Sequence, residues 1–439
     1  MKGKKNRQTG ILTVAAAVLA AVVSCASPER APVETMEQNT MEHRPGTETE
    51  NRESEEIKGK EEAKRETEAK REEETKRETE AEKEEETKRE TEAGRQEEIK
   101  KPTKREKVKG IYVTGSVAGS AAMEELIALT DQTELNAMVI DVKNDDGSIT
   151  WKMDKGSIED TGACVSYIPD LPQLMTKLKE HHIYTIARIV CFKDPYLAEA
   201  KPELALKKPD GSPVTDANGL AFVNPCRREV WDYIIEVAEE ASRAGFDEIQ
   251  FDYVRFPIGK EADEADYGVD LQKETKEEII TDFLTYAAER FDETGIVFGA
   301  DVFGTIIGSA DDVERVGQNY KTIGSVADVL SPMVYPSHYA NGVFGIEVPD
   351  AQPYETVLQA LQGSDRELQE IPEESRAVVR PWLQSFTAGW VPGHIPYGGE
   401  EIRQQIQAVY DAGYEEWILW NASNHYSADG LVQTMEREG

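Results

Sequence analysis

The chain has 439 residues and a formal net charge of -35. Residues 101–439 alone carry 30 basic and 59 acidic side chains; a field of that sign excludes nucleic acid and anionic lipid as main partners and favours neutral or cationic ligands. Four cysteines with no CxxC spacing exclude a disulfide framework and a cysteine-based metal site, although one bridge among Cys164, Cys191 and Cys226 stays open outside the cell.

The first residues read as an address. Lys2, Lys4, Lys5 and Arg7 precede an apolar run over 11–23, too short to span a bilayer and therefore a secretory signal peptide over 1–24. The run ends Val22-Val23-Ser24-Cys25, a sequence similar to the bacterial lipobox, in which a small residue precedes a cysteine that is lipidated on sulfur. Cys25 is accordingly the expected lipidation site, with two or three acyl chains giving stable anchoring. The expected location is the extracellular face of the cell membrane.

Residues 25–106 form a spacer with little to bury. The part up to about residue 50 is polar and Pro-containing, which predicts disorder. Over 61–93 a six-residue unit recurs, with Glu66 and Lys70, Glu72 and Lys76, and Glu84 and Lys88 at i,i+4 spacing. Such pairs predict a solvated single helix, and a disordered charged tether is the alternative; no apolar heptad supports a coiled coil.

From residue 107 onward, β-branched runs alternate with amphipathic segments. Strands are expected at 110–114, 137–142, 184–190, 248–253, 297–302, 329–335, 377–384 and 417–421. Helices are expected at 121–130, 171–181, 228–245, 273–290, 313–323 and 401–412. Eight βα units over 107–439 predict an α/β fold of the closed parallel (β/α)8 TIM-barrel kind. An open doubly wound sheet would want a Gly-rich phosphate loop after the first strand, and 114–120 lacks that spacing.

In such a barrel the chemistry gathers at the C-terminal ends of the strands. Asp141 and Lys143 close strand two, Arg188 lies near the end of strand three, Asp252 with Arg255 closes strand four, and Asp301 closes strand five. Tyr335 and His338 follow strand six, Trp382 and Gln384 end strand seven, and Asn421 and His425 follow strand eight. Alternation puts Gln250 and Asp252 on one face, the barrel interior. Asp252 and Asp301, on neighbouring strands about 4.8 Å apart, are the expected catalytic pair of carboxylates, and the others are expected to bind substrate. For Asp141, Asp252 and Asp301 the competing reading is a buried ion pair with Arg188 or Arg255. Only His338 and His425 are placed for a metal site, so no metal and no cofactor is expected. Trp151, Tyr335, Tyr339, Trp382, Trp390, Trp420 and Tyr426 fall at or after strand ends, where rings can pack on the CH faces of sugars.

Four stretches carry a resemblance: KGIYVTG at 109–115, NAMVIDVKNDDG at 136–147, ARIV at 187–190 and GFDEIQFDYVRFP at 245–257. Together they resemble the bacterial "putative glycosyl hydrolase domain" family, over about 107–435. The resemblance implies a barrel akin to the alpha-amylase-like superfamily, with a nucleophilic aspartate closing strand four, matched by Asp252, and a general acid closing strand five, matched in place by Asp301. That group carries glutamate as the acid, and an arginine where Gln250 stands. The expected protein is thus an anchored, monomeric glycoside hydrolase acting on an oligo- or polysaccharide. The alternative is a catalytically inert carbohydrate- or cell-wall-binding lipoprotein on the same scaffold.

Overall fold

The computed structural model describes residues 107–292 and 294–433. The expected signal peptide, Cys25 and the spacer lie outside the described residues.

Nine strands, all paired in parallel, form one sheet: β1 Lys109–Val113, β2 Ala137–Lys143, β3 Tyr184–Val190, β4 Glu248–Asp252, β5 Val297–Phe303, β6 Val329–Met333, β7 Val378–Val379, β8 Trp382–Gln384 and β9 Trp417–Trp420. The order β5-β4-β3-β2-β1-β9-β8-β6-β7, with β5 also paired to β6, closes the sheet. β7 and β8 are two pieces of one stave, interrupted at Arg380-Pro381, where proline has no N–H to give the ladder. Eight staves therefore make a (β/α)8 barrel, as the alternation of strands and helices predicts.

The helices lie outside. Met123–Gln132, Leu171–Glu180, Arg228–Arg243, Lys276–Asp292 and Gly399–Asp411 fall within three residues of the expected bounds. The expected helix over 313–323 is instead two, Ala310–Val316 and Tyr320–Val326. Gly317 stops the first with φ 75, and Asn319 caps the second by accepting from Thr322 N, the paired signals of a C-terminal glycine and an Asx N-cap. Pro353–Leu368 is an unexpected helix of 16 residues. Proline at its first position is the signal that marks it.

Two apolar layers result. The larger packs the outward strand faces on the helices, as with Ile140, Phe251 and Leu383. The smaller fills the barrel interior with Val139, Ile186, Tyr335, Trp382 and Ile418. At the N-terminal end, Arg380 fills the interior with charge: Nη1 donates to Glu248 Oε1 at 2.7 Å and Nε to Glu416 Oε2 at 2.9 Å, all three side chains being at most 3% exposed. Polar side chains at the opposite end form the candidate site.

Candidate active site

Strand register sets the geometry of the mouth. Asp141 is level with Arg188, and Arg188 with Gln250. Phe251 is level with Ala300, so the next residues, Asp252 and Asp301, neighbour each other across β4 and β5. Inward alternation then turns Tyr112, Asp141, Arg188, Asp252, Asp301 and Trp382 into one space.

Arg188 organises three of them. Its Nε and Nη2 both donate to Asp252 Oδ2, at 2.9 and 2.5 Å, and its Nη1 donates to Asp141 Oδ1 at 2.7 Å. The other oxygen of Asp141 accepts from Tyr112 Oη at 2.5 Å. Burial nevertheless pushes the Asp141 carboxyl up to about 6, against the pull of Arg188. The second oxygen of Asp252 accepts from the backbone N–H of Tyr253 at 2.6 Å. Tyr253 adopts φ 50, a left-handed conformation costing a bulky residue about 1–3 kcal/mol and often stored at functional sites. Of the two carboxylates on Arg188, Asp252 has the more open side chain, 10% against 4%.

Asp301 is in a different environment. Oδ1 accepts from Gln250 Nε2 and Trp382 Nε1, each at 2.7 Å, while Oδ2 is buried with no partner among the described residues. Burial first, and the negative charge of Asp252 second, hold this carboxyl well above its usual range. Two neighbouring aspartates thus differ in kind: one is matched to a guanidinium, the other is favoured in its protonated form.

The remaining expected residues divide. Tyr335, His338 and Trp382 lie in or beside the mouth: the Tyr335 ring packs on His338, Phe386 and Trp420. Arg255 reaches the rim between the β4 and β5 loops, against Tyr253 and Phe303. Lys143 does not join them. The register shifts between Asp141 and Lys143, and the ammonium is fully buried against Asp194 at 3.0 Å and the carbonyl of Val190 at 2.7 Å. Gln384, also fully buried, braces loops by donating to Asp350 Oδ1 and accepting from Ser337 N. Asn421 likewise binds the carbonyls of Ser385 and His425, and His425 is exposed. Lys143 and Gln384 are thus fully buried and engaged by protein partners.

Three participants escaped the sequence reading. Tyr112 stacks on Trp420 at 6.1 Å besides holding Asp141, and the inward alternation of β1 is the signal that marks it. Phe386 links Trp420 to Trp390, which is stacked on it at 5.9 Å and 63% exposed. Ser331 accepts from Gln250 at 3.1 Å. Phe386 carries no sequence signal, because its place depends on how the loop after β8 folds. Cys164, Cys191 and Cys226 are all unpaired.

The family model described as "Putative glycosyl hydrolase domain" matches residues 110–426. A hypothetical protein from Ruminiclostridium thermocellum is 37% identical, with 44% of this chain and 97% of that one covered, at a TM-score of 0.40. The glycoside hydrolase domain of PgaB (BpsB) from Bordetella bronchiseptica is 14% identical, with 74% and 95% covered, at a TM-score of 0.53; this likeness establishes the fold. The spore cortex-lytic enzyme SleL of Bacillus megaterium is 13% identical over 75% and 73%, at a TM-score of 0.45. A search of curated proteins gave no match. The match over most of the barrel makes the chain a member of the "Putative glycosyl hydrolase domain" family, and thus a glycoside hydrolase.

Proposed function

We propose that the protein is an extracellular, lipid-anchored glycoside hydrolase that cleaves O-glycosidic bonds of an oligo- or polysaccharide, with Asp252 as nucleophile and Asp301 as general acid. The observation that carries this reading is the asymmetry of the pair. Asp252 is matched to the Arg188 guanidinium and is the more open carboxylate on it. Asp301 lies beside it in register and is held well above its usual range by burial and by the charge of Asp252.

The chemistry follows. Asp252 attacks the anomeric carbon as Asp301 gives its proton to the leaving oxygen, so the carbon–oxygen bond breaks while a glycosyl–Asp252 ester forms. Asp301, now anionic, takes a proton from water, whose oxygen attacks the anomeric carbon and releases Asp252. Carboxylates on adjacent strands suit this retaining geometry, which requires a separation of about 5–5.5 Å. Arg188 keeps Asp252 oriented, and the rings of Tyr112, Trp420 and Tyr335 offer faces for the sugar.

A second reading, a non-catalytic carbohydrate-binding barrel, is favoured by the burial of Asp301 Oδ2. Screening the purified protein against a glycan panel, with Asp252→Asn as control, separates them. Cleavage by the parent chain alone supports the enzyme; binding without cleavage supports the binder.

A further inference from the structure

Three cations at or near the ends of β2 and β3 are neutralised by carboxylates. Arg188 faces Asp141 and Asp252, Lys143 faces Asp194, and Lys193 faces Asp216 at 2.8 Å. Arg255, three residues beyond Asp252, pairs with no carboxylate among the described residues. Its guanidinium carbon lies 5.0 Å from the centre of the Tyr253 ring and 4.7 Å from that of Phe303, two residues past Asp301. Nη1 donates to the Phe256 carbonyl at 3.0 Å, and among the described residues the other N–H groups meet no acceptor. Burial lowers the pKa of this arginine, and the charge of Asp252 reaches it.

A guanidinium partly removed from water without a counter-ion is unfavourable, yet here two rings fix its plane at the rim of the site. A fork of N–H donors held in one orientation recognises planar or tetrahedral oxyanions in two-point fashion. We propose that Arg255 is a subsite for an oxyanion on the glycan, a carboxylate or phosphate carried by a sugar next to the cleaved bond, so that the substrate is acidic. The inference rests on the reading of the mouth as a sugar site. The acidic surface of the chain disfavours long-range attraction of such a substrate, but surface charge is screened beyond about 8 Å at physiological ionic strength, whereas Arg255 acts in contact.

The test titrates the full chain, Arg255→Gln and Arg255→Lys with glucose, glucuronate and glucose 6-phosphate, followed by ligand-observed NMR. The parent chain should bind at least one anionic sugar about tenfold or more tightly than glucose. The better of the two identifies the oxyanion. Arg255→Gln should lose the preference and Arg255→Lys keep part of it, with both variants melting like the parent. Equal binding of the three sugars, binding of none, or a preference that survives in Arg255→Gln overturns the proposal. Asp252→Asn separates the two levels. Arg255-dependent anion binding with no cleavage of any glycan leaves this inference standing and removes the hydrolase mechanism. Equal cleavage of matched neutral and acidic glycans does the reverse.

Discussion

Trp382 donates its indole N–H to Asp301 Oδ1 at 2.7 Å, from the stave on the far side of β6. That bond stabilises the anion of Asp301 and so opposes the burial that raises its pKa. Trp382→Phe keeps a ring in place and removes the donor. The Asp301 pKa should then rise further, and because the acid acts when protonated, the alkaline limb of the kcat/KM profile should move to higher pH. An unmoved limb would show that another group titrates there.

Loss of the nucleophile should remove turnover without removing binding. Asp252→Asn is expected to cost about 10³-fold or more in kcat while oligosaccharide affinity, measured by calorimetry, stays near that of the parent. Asp301→Asn should hurt least on aryl glycosides with good leaving groups, which need no protonation, and should lack the alkaline limb altogether. Equal loss on good and poor leaving groups would remove Asp301 from the acid role.

Asp141 should show itself in stability. Its carboxyl titrates at about 6 in the fold against an ordinary 3.8, so the folded state holds the proton more tightly. Its contribution is fully present below 3.8 and is lost as pH rises through 6. Asp141→Asn should therefore trail the parent most at low pH, with the gap narrowing by on the order of 3 kcal/mol between pH 3.8 and about 6 and staying constant above. Urea unfolding at several pH values provides the check.

Lys143→Met should act on folding rather than on substrate. The ammonium and its partner Asp194 are at most 1% exposed, and removing one member of a buried pair costs about 3–5 kcal/mol. Unfolding should become easier by that amount, while kcat/KM per folded molecule changes less than about threefold. A large fall in kcat/KM with unchanged stability would place Lys143 at the substrate after all.

Anchoring has its own test. Cys25→Ser should move the protein from the membrane fraction to the medium or leave it unprocessed. Unchanged fractionation and lipid labelling would dismiss the lipobox.

Much of the barrel is legible in sequence because its strands are short, mostly apolar and buried on both faces, as in Ala137–Lys143, where every residue is buried. Alternation within a strand then brings Asp141, Asp252 and Asp301 to one end. What sequence withholds is anything that depends on a local irregularity. The shift after Asp141 that sends Lys143 into the protein and the breaks at Gly317 and Arg380-Pro381 alter direction by a single residue. The polar side chains of Gln384 and Asn421 look like ligands from sequence, because nothing in a linear chain distinguishes a loop brace from a binding group.

The ion triad at the N-terminal end of the barrel joins staves that lie far apart in the chain. Arg380 reaches Glu248, 132 residues earlier, and Glu416, 36 residues later. A nascent chain that stops short of Arg380 has no cation for Glu248, and one that stops before Glu416 leaves half of the guanidinium fork unanswered. Partial barrels therefore carry ionic groups that favour water over a closed interior. The triad is therefore complete only when the last stave is in place.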